Sequence, residues 1–132
     1  MILLAALVGA LAGGGSIWTM QRNGMLSERS GAAVLLMAVA VFYPVFAAAE
    51  ADAAGLVLHL LIFAGFTFLA LRAYHRGLFL LAGGLIAHGI FDIIAGFIAT
   101  PGPSWWPAFC ASFDIVAGVM ILQLIQTGKV PR

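Results

Sequence analysis

The sequence predicts an all-α integral membrane bundle of five transmembrane helices, and three observations lead there. Of 132 residues, 64% are hydrophobic and only 8% charged, against roughly 45–50% and about 25% in an ordinary soluble domain. A soluble fold of this size buries only about two thirds of its unfolded surface, so the remaining apolar side chains would face water. Five apolar stretches each approach the roughly 20 residues that a helix needs to cross a bilayer core of about 30 Å: residues 1–20, 31–49, 53–71, 77–99 and 107–126. Lys and Arg fall only in alternate connections, as an odd number of spans requires under the positive-inside rule. A mean hydropathy of +1.13 excludes disorder. A net charge of +1 offers no basic footprint for nucleic acid. The single cysteine, Cys110, excludes an internal disulfide framework.

The first span carries Ala10-Leu11-Ala12, a signal-cleavage-like run, but lacks a basic stretch ahead of it and is read as a retained helix. Its Gly9 and Gly13 form a G-x-x-x-G pair that permits close helix approach; packing within the chain is the simpler use and a homodimer contact the alternative. The second span contains Pro44, expected to kink it. The stretch 47–55 has helical propensity throughout and no strong breaker before Gly55, so continuation past Asp52 to a turn at Gly55 is the alternative to an end at Ala49. The third span ends in a connection holding Arg72, His75 and Arg76. The fourth ends before a loop stiffened by Pro101 and Pro103, and Pro107 opens the fifth. The alternation that a membrane β-barrel needs is absent. The 132 residues therefore read as a single transmembrane domain.

Arg22 and Arg29 lie in the first connection, Arg72 and Arg76 in the third, and Lys129 and Arg132 in the tail. All six cations reach one side if the N-terminus is outside and the C-terminus inside, the topology expected of a multi-pass protein in a bacterial inner membrane. Trp105 and Trp106 then read as an outer interfacial anchor, with Trp18 and Tyr74 near the inner face.

Few polar residues fall inside the spans. An ionisable group at the centre of a membrane helix costs about 2.5–3.5 kcal/mol on insertion scales and marks a functional-site hypothesis. The candidates are His59, His88, Asp92 and Asp114. At about 1.5 Å per residue, His59, Asp92 and Asp114 each lie about 10 Å from the outer face. His88 is one turn deeper than Asp92 on the same face, and Cys110 stands one turn above Asp114. Small residues flank both aspartates, with Gly84, Ala95, Gly96 and Ala99 on one helix and Ala111, Ala117 and Gly118 on the other. Such stripes face other helices. Two carboxylates brought together in low dielectric do not both carry charge unless a cation lies between them.

These residues predict a polar pocket built from His59, His88, Asp92 and Asp114, with Cys110 and Glu50 above it. Binding or translocating a proton or small cation is the leading reading. The alternatives are a membrane enzyme using Asp92, Asp114 and His88 as acid and base on a hydrophobic substrate, and an interhelical hydrogen-bond network in a structural subunit of a membrane complex. The donors of His59, His88, Asp92 and Asp114 would also suit a transition metal such as zinc, iron or copper, although no short metal-binding spacing of the His-Glu-x-x-His kind is present. Glu50 and Asp52 sit at the outer mouth, in a solvated loop or an acidic vestibule. No span carries a mid-helix lysine for a retinal Schiff base.

The stretch His88-Gly-Ile-Phe-Asp92, then Pro101-Gly-Pro-Ser-Trp-Trp-Pro107-Ala-Phe-Cys110-Ala-Ser-Phe-Asp114, resembles a segment of small uncharacterised bacterial multi-pass membrane proteins. In them a His-x-x-x-Asp helix precedes a Pro-Gly, Trp-Trp-Pro loop and a Cys-x-x-x-Asp helix. The resemblance covers about a quarter of the chain. It implies weight on His88, Asp92, Cys110 and Asp114 without naming a reaction. A second histidine often follows the first aspartate by three residues in these proteins; Ala95 stands there in this chain, which argues against a two-histidine metal site.

Overall fold

The computed structural model describes residues 1–98 and 100–132. Among them six helices occur and no strand: α1 (Ile2–Arg22), α2 (Ser30–Ala40), α3 (Phe42–Ala49), α4 (Ala53–Arg76), α5 (Leu78–Ala95) and α6 (Trp106–Gln126). α2 and α3 together form one span, Ser30–Ala49, giving five helical segments long and apolar enough to cross a membrane. Large apolar side chains such as Leu3, Leu11, Leu61, Phe68 and Phe97 point outward, compatible with contact to a lipid bilayer. Ala99, the expected last residue of the fourth span, lies outside the described residues.

The division of the second span follows from Pro44. Proline has no N–H to return to the carbonyl four residues earlier, here Ala40, and its ring crowds that carbonyl. α2 accordingly stops at Ala40 and α3 starts at Phe42. The second span ends at Ala49 and the next helix starts at Ala53, as the span lengths predict, and the alternative continuation past Asp52 does not occur. α3 ends at Ala49, Ala51 takes a left-handed conformation at φ 56, and the Asp52 carboxylate accepts a hydrogen bond from Gly55 N at 3.0 Å. Asp52 is thus the N-cap of α4: capping of orphan N–H groups outweighs the helical propensity of the alanines around it.

The third connection is far shorter than the sequence suggested. α4 continues to Arg76 and α5 starts at Leu78, leaving Gly77 alone as the joint. Gly77 has φ 154 and ψ 155, a region open essentially only to glycine. Arg72 and Arg76 therefore occupy the last turns of a helix rather than a loop.

Glycines bring α6 against both of its neighbours. A Cβ on Gly9 or Gly13 would strike the carbonyls of Phe109 and Phe113 respectively, so the G-x-x-x-G pair of α1 is used within the chain, in a parallel contact. On the other side, a Cβ on Gly89 would come within 3.0 Å of the Ala111 carbonyl, and one on Gly118 within 2.7 Å of the Ala82 carbonyl. That contact is antiparallel. α2 and α4 cover the rest of α5, and α3 packs on α4.

The six cations gather toward one end. The Arg29 guanidinium donates to the carbonyls of Tyr74 at 3.3 Å and Arg132 at 3.1 Å, tying the first connection to the end of α4 and to the tail. Leu26 and Val130 are buried beneath it. At the opposite end Glu50 accepts a hydrogen bond from Gly102 N at 2.8 Å, holding the loop before α6 against the end of α3. Trp106 packs between Phe42 and Phe46, with ring centroids 4.7 and 5.2 Å away. Trp106 thus points partly into the protein and is not the simple surface anchor expected of it.

Candidate functional site

The close approach of α5 and α6 at Gly89 fixes what His88 can reach. With the backbones in near contact there, His88 Nδ1 lies 2.7 Å from Asp114 Oδ2 on α6 and 3.2 Å from Asp92 Oδ2 on its own helix. The second contact follows from the i, i+4 spacing of 88 and 92. All three side chains are sealed from the surroundings, at 1%, 0% and 0% exposure. A neutral imidazole carries one N–H at most on Nδ1, so it cannot serve both carboxylates. Among the described residues, Asp92 Oδ2 and Asp114 Oδ1 find no hydrogen-bond partner.

A fourth member comes from the interrupted span. Tyr43 is fully buried and its hydroxyl donates to Asp92 Oδ1 at 3.0 Å. Behind it the His59 ring stacks on the phenol at 5.1 Å between centroids and 18° between planes. Phe66 meets the edge of His88 at 4.7 Å, and Phe91 stands against both Tyr43 and His88. A polar group of two acids, an imidazole and a phenol is therefore enclosed in an aromatic wall, where each unpaired polar atom is costly.

The expected pocket is assembled in part. His88, Asp92 and Asp114 come together directly. His59 joins only through Tyr43, and its Nδ1 is buried without a partner. Cys110 is buried one turn before Asp114 and faces a groove of about 350 Å³ between α2–α3 and α6, lined by Leu35, Phe42, Trp106, Phe109 and Phe113. Glu50 is exposed and engaged with Gly102, so it belongs to the loop and not to the buried group. Tyr43 was absent from the expected site. The signal was present in the sequence: it is the tyrosine in the middle of a span, next to the proline that breaks that span.

A cleft of about 270 Å³ runs from the loop end of the molecule past Ser104, Pro107, Gly96 and Ala111 and ends against Asp92, whose side chain stays fully buried. On the other side of His88 the interior is closed by Leu36, Leu81 and Leu85, all fully buried. Balance for the two carboxylates must come from His88 itself, a proton or an added cation, because the Lys and Arg residues lie in the end turns, the loops and the tail. His88, Asp92 and Asp114 each offer one ligand atom, and these atoms lie within 4.8 Å of one another.

No protein-family model, no curated protein and no solved structure matches this chain, so the resemblance of residues 86–120 to small multi-pass proteins assigns no family, and the chemistry is read from these residues alone.

Proposed function

We propose that this protein binds a proton or a small cation inside a bacterial plasma membrane, at the cluster of His88, Asp92, Asp114 and Tyr43. The observation that carries the reading is a fully buried pair of carboxylates sharing one imidazole nitrogen, with an oxygen on each left unpartnered. Such an arrangement is stable in low dielectric only when a positive charge is taken up. The positive-inside rule places the cation-rich end in the cytoplasm. The cluster then occupies the outer half of the bilayer, and the cleft past Ser104 approaches it from the external side, ending against Asp92 while the carboxylates themselves stay fully buried. The leucine layer of Leu36, Leu81 and Leu85 favours uptake and release on that side over a continuous path.

Infrared difference spectroscopy of the purified protein tests the reading. Acidification should raise a protonated-carboxyl band that is missing from both Asp92→Asn and Asp114→Asn. A band unchanged by pH and shared by all three proteins would contradict it. Translocation is the finer claim: proteoliposomes loaded with a pH-sensitive dye should lose flux in the same two variants.

A second reading has one specific observation in its favour. The aromatic groove that ends on Cys110, one turn before Asp114, would admit a hydrophobic group from the lipid; a membrane enzyme with His88, Asp92 and Asp114 as acid and base would need that group to pass Cys110.

A further inference from the structure

We propose that the cation held at this cluster is a divalent first-row transition-metal ion, bound by His88 Nδ1, Asp92 Oδ2 and the Asp114 carboxylate. The inference rests on the cation-binding reading above and names the class of cation. Ligands at about 2.0–2.2 Å from one ion stand about 2.9–3.5 Å apart, between octahedral and tetrahedral geometry. The 3.2 Å separation from His88 Nδ1 to Asp92 Oδ2 falls within that spacing, the 2.7 Å one to Asp114 Oδ2 just below it, and all three ligand atoms lie within 4.8 Å of one another, near enough for an ion to draw them together. The three ligand atoms converge from two helices whose backbones are locked together at Gly89.

The hydrogen-bond ledger points the same way. A single N–H on Nδ1 can satisfy Asp114 Oδ2 and nothing else, which leaves Asp92 Oδ2 and Asp114 Oδ1 orphaned at zero exposure. An ion between them serves the deprotonated imidazole and both carboxylates at once, and Asp114 Oδ1 becomes available as a second oxygen from the same group. Two carboxylates with a divalent ion and a neutral imidazole sum to zero charge, as an apolar interior requires.

The donor set narrows the metal. Magnesium and calcium take oxygen ligands almost exclusively, and copper(I) takes thiolate or thioether sulfur. One imidazole nitrogen with carboxylate oxygens suits zinc, iron(II) or manganese(II). Three protein ligands leave at least one coordination position for water or another small ligand. Tyr43 fits a positioning role: by donating to Asp92 Oδ1 it turns Oδ2 toward the ion. A partner of this kind fixes a ligand's orientation and supports its affinity.

Cobalt(II) alone, titrated into the full chain in detergent micelles, tests the proposal through its visible ligand-field absorption. Wild type should take up one equivalent, displaced by zinc. Asp92→Asn and Asp114→Asn should lose the band while circular dichroism reports unchanged helix content. Tyr43→Phe, which removes no ligand, should weaken binding by about 10–100-fold and shift the band, whereas His75→Gln should bind as wild type does. No band beyond that of aqueous cobalt in wild type, or a band persisting in both Asn variants, would overturn the metal. If cobalt fails while the infrared carboxyl band still responds to acidification, the metal is wrong and proton binding stands. If neither responds, both are wrong.

Discussion

Among single residues, Tyr43 carries the clearest expectation for stability. Its hydroxyl is the donor to a carboxylate that has no access to water. Leaving a buried acceptor unpaired costs about 1–3 kcal/mol, more for a charged group. Tyr43→Phe should therefore lower stability by at least about 1 kcal/mol, read as a fall in the unfolding midpoint in mixed micelles. Glu50 tests the opposite case. It holds Gly102 N at an exposed site, so Glu50→Ala, which removes the acceptor, should leave cation binding intact and raise only the amide exchange rate at Gly102. The buried histidine and aspartates were legible in the sequence because ionisable residues are rare in an apolar span and i, i+4 spacing puts 88 and 92 on one face. Glu50 was legible as an outer-loop residue, but depth along the chain says nothing about which backbone N–H a loop carboxylate will find, here that of Gly102.

Between residues and whole fold stands the broken second span. Pro44 denies the Ala40 carbonyl its N–H, and the chain restarts as α3 at Phe42 with Tyr43 turned into the core. Pro44→Ala restores that donor and should join α2 to α3. Helix content would rise slightly, and cobalt affinity would fall as the phenol leaves Asp92. If Pro44→Ala binds as tightly as wild type, the break does not position Tyr43. The ends at Ala49 and Ala53 were legible from span length, but the bond that sets them was not. Alanine-rich sequence gives no stop signal, so only the Asp52 side chain bonding to Gly55 N decides where α3 ends and α4 begins; Asp52→Ala should lower stability by about 1 kcal/mol. Gly77 was likewise unreadable as a complete connection, since nothing in the composition of 72–76 distinguishes the end of a helix from a loop.

For the molecule as a whole, five spans and a cation-rich end were plain from composition and charge placement, because a bilayer dictates segment length and hydrogen-bond closure more strictly than water does. The packing partners of α6 were less plain. Gly9 and Gly13 marked a contact, yet only the structure pairs them with Phe109 and Phe113. Gly13→Leu should push α1 from α6, costing about 1–3 kcal/mol as overpacking does, while leaving the cluster between α5 and α6 able to bind. Orientation is tested at the same scale: in a Cys110→Ala background, a cysteine at Ser104 should react with an impermeant maleimide added outside cells, and one at Lys129 should not. The most direct measurement is NMR of isotope-labelled histidine side chains, with His88 assigned through His88→Gln. If one imidazole nitrogen is shared between two buried carboxylates, the His88 Nδ1 resonance should move in Asp114→Asn and in Asp92→Asn, and again on acidification or cobalt addition. A His88 resonance indifferent to both substitutions and to both additions would contradict the cluster itself.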